Sequence, residues 1–138
     1  DKLLLVYFGF TNCPDVCPTT LADVRKALRE LGDDAERVEL AMATIDPGRD
    51  TDEILTGYVQ GFVPGAHALR TTDDDLLRSV TMAFGAGYEV VTNAEGDIEV
   101  AHTAHVFVVD DAGLIQVTWP FGTIPEDMMS DLEILLDA

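Results

Sequence analysis

Two cysteines, Cys13 and Cys17, stand four positions apart inside Phe10-Thr11-Asn12-Cys13-Pro14-Asp15-Val16-Cys17-Pro18, and no other cysteine occurs in the 138 residues. A thiol pair at this spacing can close into a disulfide or hold a soft metal. Pro14 pushes Cys13 out of helical conformation. Pro18 suits the first turn of a helix, which predicts Cys17 at the cap, where the helix dipole and open N–H groups favour a thiolate. A disulfide needs Cα atoms within roughly 7 Å, which such a loop can reach. A bridge across so short a loop stabilises little, so a purely structural disulfide is a poor use of the pair.

Three histidines complete the inventory of soft ligands: His67, His102 and His105. Two thiolates and one imidazole make a three-coordinate set suited to copper, as Cu(I) or Cu(II). A tetrahedral zinc site would need a fourth ligand that the sequence does not identify. His102 is the expected third ligand. His105, three positions on, is expected to point to the opposite face of a strand, and His67 reads as a surface residue. The four methionines are scattered, and Met42 and Met82 are expected in the core.

These side chains need a frame that brings them together. Leu3 to Gly9 is a continuous apolar run, the pattern of a central strand buried on both faces. Pro18 to Leu31 reads as an amphipathic helix with Leu21, Val24, Leu28 and Leu31 on one face, stopped by Gly32. Val38 to Ile45 is a second strand. Asp46 stands at its end, either near the cysteine loop or as a turn residue before Pro47, and Arg49 is expected to pair with a local carboxylate. Asp50 with Glu53 resembles a capping box. The helix it opens carries Ile54, Leu55, Tyr58, Val59 and Phe62. His67 to Arg70 is a short strand, and Asp73 to Phe84 a helix with Leu76, Leu77, Val80 and Phe84 inward. Tyr88 to Val100 is ambiguous, with Asn93-Ala94-Glu95-Gly96-Asp97 as a turn between two short extended pieces. His105 to Val109 and Leu114 to Trp119 form a hairpin about Asp110-Asp111-Ala112-Gly113. Pro125 to Leu136 is a last helix. Trp119 reads as a packing residue.

This order predicts a single α/β domain over residues 1–138 with a thioredoxin-like fold: a central mixed sheet, parallel where helices cross over and antiparallel at the hairpin, flanked by helices on both faces. The cysteine motif falls between first strand and first helix. The segment Ala101-His102-Thr103-Ala104 is expected to be a loop entering the hairpin beside it.

Composition narrows the partners. Twenty-six acidic residues against eight basic ones give a formal net charge of −18, with Lys2 and Lys26 as the only lysines. Such a balance repels nucleic acid and anionic membranes and predicts adaptation to high salt. No run approaches the roughly 20 apolar residues of a membrane span. A buried-type strand beginning at Leu3 predicts a soluble domain cut from a longer precursor, with an N-terminal anchor and leading segment absent.

Tyr7 to Pro18 resembles the signature of the SCO/SenC family of copper-binding, thioredoxin-like assembly proteins. Thr44-Ile45-Asp46-Pro47-Gly48-Arg49-Asp50-Thr51 resembles that family's second motif. Val100-Ala101-His102-Thr103, followed by Phe107 and Asp110-Asp111-Ala112-Gly113, resembles its third. The resemblance implies Cys13, Cys17 and His102 as copper ligands, with Cys13 and Cys17 as a redox pair. It implies a metallochaperone that supplies copper to the dinuclear copper site of cytochrome c oxidase, reduces the cysteines of that site, or both. The implied partners are the copper-site subunit of the oxidase and other copper carriers or thiol reductants. The implied location is the extracytoplasmic side of the cell membrane, on an N-terminal anchor. Asn12 stands where the family commonly has His, and Ala101 where it often has Asp. The alternative is a thiol–disulfide oxidoreductase acting on extracytoplasmic proteins without carrying copper; a thiol peroxidase is more distant.

Overall fold

The computed structural model describes residues 2–11, 16–86, 88–92, 98–102 and 105–137, with the backbone alone for 16, 88–92 and 98–102. The first apolar run forms β1 (Leu3–Gly9) in the middle of a five-stranded sheet. Its apolar residues alternate between the two faces, so both faces are covered. β2 (Val38–Thr44) lies parallel to β1 along its whole length, from Leu3↔Val38 to Gly9↔Thr44. The Ile45 N–H donates to the Gly9 carbonyl at 2.9 Å and prolongs that pairing past the end of the strand. On the other side, β6 (Val106–Val109) runs antiparallel, from Leu4↔Val109 to Tyr7↔Val106. The edges are β3 (His67–Leu69), parallel to β2, and β7 (Ile115–Trp119), antiparallel to β6. This is the mixed sheet expected from the order of elements.

Neighbouring residues of β1 identify the two covers. The Tyr7 hydroxyl meets Cys17 of α1 (Val16–Leu31), while the Phe8 ring packs edge-on against Phe84, just after α3 (Asp74–Ala83), at 5.4 Å. Helices therefore lie on both faces. α1 packs with α4 (Pro125–Asp137), and Leu21, Val24, Met128 and Leu132 join Leu5, Tyr7, Leu40 and Met42 in the core. Each such side chain contributes roughly 1.5–3 kcal/mol by leaving water. Among the described residues, no helix is long and apolar enough to cross a membrane.

Several elements depart from expectation for local reasons. α1 begins at Val16, two residues before Pro18, so Cys17 is inside the first turn rather than at the cap. The first turn has no intrahelical use for its N–H groups, so Pro18 is tolerated there. The N-cap of α2 (Asp52–Phe62) is Thr51, whose hydroxyl accepts from the Ile54 N–H at 3.3 Å, not Asp50. The inward stripe of α3 is narrower than expected. Leu55 and Val59 are buried on α2, Leu77 and Thr81 on α3, while Ile54, Leu76, Val80 and Met82 are exposed. Met82 is thus a surface residue, and Met42 the core residue expected. The ambiguous region forms a separate antiparallel ribbon of β4 (Tyr88–Thr92) and β5 (Ile98–His102). Its turn at 93–97 lies outside the described residues.

Candidate functional site at the first strand–helix junction

Cys17 is completely buried where β1 gives way to α1, and its sulfur accepts a hydrogen bond from the Tyr7 hydroxyl at 3.2 Å. A phenolic donor stabilises electron density on sulfur, whether that sulfur is a thiolate or a metal ligand. Gly9 makes the approach of strand and sulfur possible. A Cβ at this position would stand 2.7 Å from the Tyr7 ring, 3.0 Å from the Cys17 sulfur and 3.2 Å from the Met42 methyl. The close approach of backbone and side chain therefore requires glycine there.

The other two expected ligands are placed less fully. Cys13 lies outside the described residues, as do Asn12, Pro14 and Asp15. His102 is the last residue of β5, paired with Tyr88, so Ala101 and His102 close a strand instead of lying in a loop. Thr103 and Ala104 lie outside the described residues, and the side chain of His102 is not among those described. Among the described residues, no group of three or more His, Cys, Asp and Glu side chains is placed to hold a metal. The remaining histidines have other company. His67 meets Glu39 at 3.2 Å on the surface, and the His105 ring lies edge-on to Phe107 at 6.2 Å.

The second motif folds into a tight connection whose polar groups are internally matched. The Thr44 hydroxyl accepts from the Asp46 N–H at 3.0 Å, and the Asp46 carbonyl accepts from the Asp50 N–H at 2.9 Å and the Arg49 N–H at 3.2 Å. The Asp46 carboxylate pairs with Arg49 at 2.5 Å. Of the two roles open to Asp46, these bonds show the turn residue, and Arg49 pairs with a local carboxylate as expected. Arg70 clamps the connection from outside, donating to the carbonyls of Asp50 at 2.7 Å and Pro47 at 3.0 Å.

Asp50 was not expected to do more than cap a helix. It is fully buried, and its carboxylate accepts three hydrogen bonds. The donors are the Thr11 N–H at 2.9 Å, the Thr11 hydroxyl at 2.5 Å and the Thr44 hydroxyl at 2.7 Å. Asp50, Thr11, Tyr7 and Gly9 are the residues around the junction that sequence reasoning missed. The one available signal was that Thr51, next to Asp50, is itself a good cap, which leaves Asp50 for another use.

A mixed sheet covered on both faces, with a cysteine in the first turn of the helix that follows its first strand, defines a thioredoxin-like domain. The chain belongs to the SCO1/SenC family, whose model matches residues 1–137. It is 33% identical over 113 residues to an SCO2-like protein of Rickettsia prowazekii, an alignment covering 80% of this chain and 55% of the relative. It is similar to the copper-bound structure of ScoI from Bradyrhizobium japonicum, with a TM-score of 0.83, 32% identity, and coverage of 96% of this chain and 84% of that one. It is also similar to apo Sco1 of Thermus thermophilus, with a TM-score of 0.85, 33% identity, and coverage of 98% and 80%. The chain spans about half the length of the curated relatives it matches.

Proposed function

We propose that this chain binds one copper ion through the sulfurs of Cys13 and Cys17 and the imidazole of His102, and that it delivers the metal to the dinuclear copper site of cytochrome c oxidase. One observation carries the reading. The family match spans residues 1–137 and so includes both cysteines and His102, and a similar structure at 32% identity holds copper. The chemistry of the donor set agrees, since two thiolates and one imidazole favour copper over hard ions. The buried Cys17 sulfur with its Tyr7 donor supports it further.

In this reading the partner's ligands replace the three donors one at a time, so the metal never passes through solution as a free ion. The same thiols reduce a disulfide of the acceptor site. One thiolate attacks a partner sulfur and releases the other as a thiolate. The second thiol of this chain then resolves the mixed disulfide, leaving Cys13 bonded to Cys17 and two thiols on the partner. Forming that bond removes both sulfur ligands and switches copper binding off. The domain works on the extracytoplasmic side of the cell membrane, held by an anchor, with the oxidase subunit, copper carriers and thiol reductants as partners.

Titration of the reduced protein with Cu(II) tests the reading. The expected result is intense sulfur-to-copper charge-transfer absorption, lost in Cys13→Ser and Cys17→Ser and weakened in His102→Ala. No such band in the native chain defeats the copper assignment. Insulin reduction that depends on both cysteines would then identify a thiol–disulfide oxidoreductase. A His102→Ala variant that binds copper like the native chain removes His102 from the ligand set.

A further inference from the structure

Among the described residues, Asp50 is the most deeply buried carboxylate, and the mechanism has no use for it. Burying a carboxylate is costly unless its oxygens are matched. Here two of the three donors come from one residue, Thr11, 39 positions away in the chain. A local turn would not require this. The connection 44–50 is already closed by its own hydrogen bonds and by Arg70. Thr11 is the second residue beyond β1 and stands two positions before Cys13. Its backbone N–H and its hydroxyl grip different oxygens of one carboxylate, which fixes both the position and the rotation of that peptide. The Ile45-to-Gly9 bond anchors the same stretch one step earlier.

We infer that Asp50 is a positioning residue for the thiol pair: it fixes the Thr11 peptide, two positions before Cys13, and through that peptide governs how readily the two sulfurs converge. The inference deepens the reading of the previous section and rests on the same pair of thiols. A chain fixed at Thr11 has less conformational freedom to lose when the sulfurs converge, on a metal or on each other. Releasing the grip therefore weakens metal retention and shifts the dithiol–disulfide equilibrium, even where the fold survives.

The test uses Thr11→Val, which removes the hydroxyl donor; Thr11→Ser, which retains both donors; Asp50→Asn, which removes the charge; and the Thr11→Val/Asp50→Asn double variant. Two quantities are read beside the melting temperature. The first is Cu(II) affinity in competition with a chelator. The second is the equilibrium with glutathione, in which the two protein thiols become one disulfide as one glutathione disulfide becomes two glutathiones. Thr11→Val and Asp50→Asn should each lower affinity about tenfold or more, the scale of one hydrogen bond to a charged group, and displace the glutathione equilibrium. Thr11→Ser should stay near the native values, and the double variant should fall no further than the worse single one, as expected of one shared interaction. Leu132→Ala, a destabilised core variant far from the loop in sequence, should leave both quantities unchanged.

The inference is overturned if Thr11→Val and Asp50→Asn lower the melting temperature but keep the native affinity and glutathione equilibrium. It is also overturned if Thr11→Ser behaves like Thr11→Val. Should Asp50→Asn fail to fold, the two Thr11 variants decide. Should the native chain bind no copper, the reading of the previous section fails, and the glutathione equilibrium still decides the role of Asp50.

Discussion

Gly9 shows how little room the junction has. A methyl group there falls inside contact distance of the Tyr7 ring and the Cys17 sulfur, neither of which can retreat from a buried position. Gly9→Ala should cost roughly 1–3 kcal/mol, the range for overpacking a core. Gly57→Ala, on the exposed face of α2 with open space about it, should instead stabilise by about 0.5–1 kcal/mol. Urea midpoints of the two variants check the contrast, and a Gly9→Ala protein as stable as the native one would remove the steric account. Cysteines declare themselves in a sequence because few other residues offer their chemistry. The roles of Gly9, Tyr7 and Thr11 were not legible, because an apolar run announces burial without saying which side chain its alternate residues will touch.

At the level of elements, the β6–β7 hairpin carries a titratable clasp. The Asp110 carboxylate accepts the N–H groups of Leu114 and Ala112, both at 2.9 Å, and the Gln116 side-chain amide at 2.6 Å. These bonds, that of the Leu114 N–H above all, hold its carboxyl below the ordinary value of 3.8. A group whose pKa is lower folded than unfolded adds stability above the unfolded value and loses it as pH falls through the folded one. The stability gap between the native chain and Asp110→Asn should therefore be level from about pH 7 to about pH 5 and narrow below about pH 4. Denaturant midpoints across that range measure it, and a gap that stays level into strong acid would refute the clasp. The hairpin was legible because Asp-Asp-Ala-Gly between apolar runs has few other conformations. The start of α2 was not. Asp50 and Thr51 are both good caps, and the choice between them was made by Thr11, a distant residue that no local pattern contains. The stripe on α3 was overestimated because this ten-residue helix buries one narrow row, Leu77 and Thr81, and leaves Leu76, Val80 and Met82 exposed.

The whole molecule is dominated by its charge. Cations are few: Arg49 is bound to Asp46, while Arg70 and Arg37 donate to backbone carbonyls and stand 3.9 Å from the exposed carboxylates of Asp52 and Asp34. The Lys26–Glu126 pair, 3.8 Å apart with both side chains more than half exposed, adds little. The surface carboxylates therefore repel one another with little local compensation, and salt is what relieves them. The screening length shrinks from about 10 Å at 0.1 M to about 3 Å at 1 M, so the melting temperature should climb steadily with sodium chloride over that range. A melting temperature indifferent to salt would mean that the self-repulsion is unimportant to the fold. The mixed character of the sheet was legible at this scale, because helical crossovers make strands parallel and a tight hairpin makes them antiparallel. The β4–β5 ribbon was legible in part: two short extended pieces about a turn were expected, and their pairing was not, since such short runs suit strand or loop until a partner is known. One buried side chain has an optical consequence. Trp119, the single tryptophan of the chain, is buried at the end of β7 with its ring N–H bound to Asp131 of α4 at 2.9 Å. Its fluorescence is therefore a built-in gauge of whether the last helix is seated, supplied by the chain without any added dye.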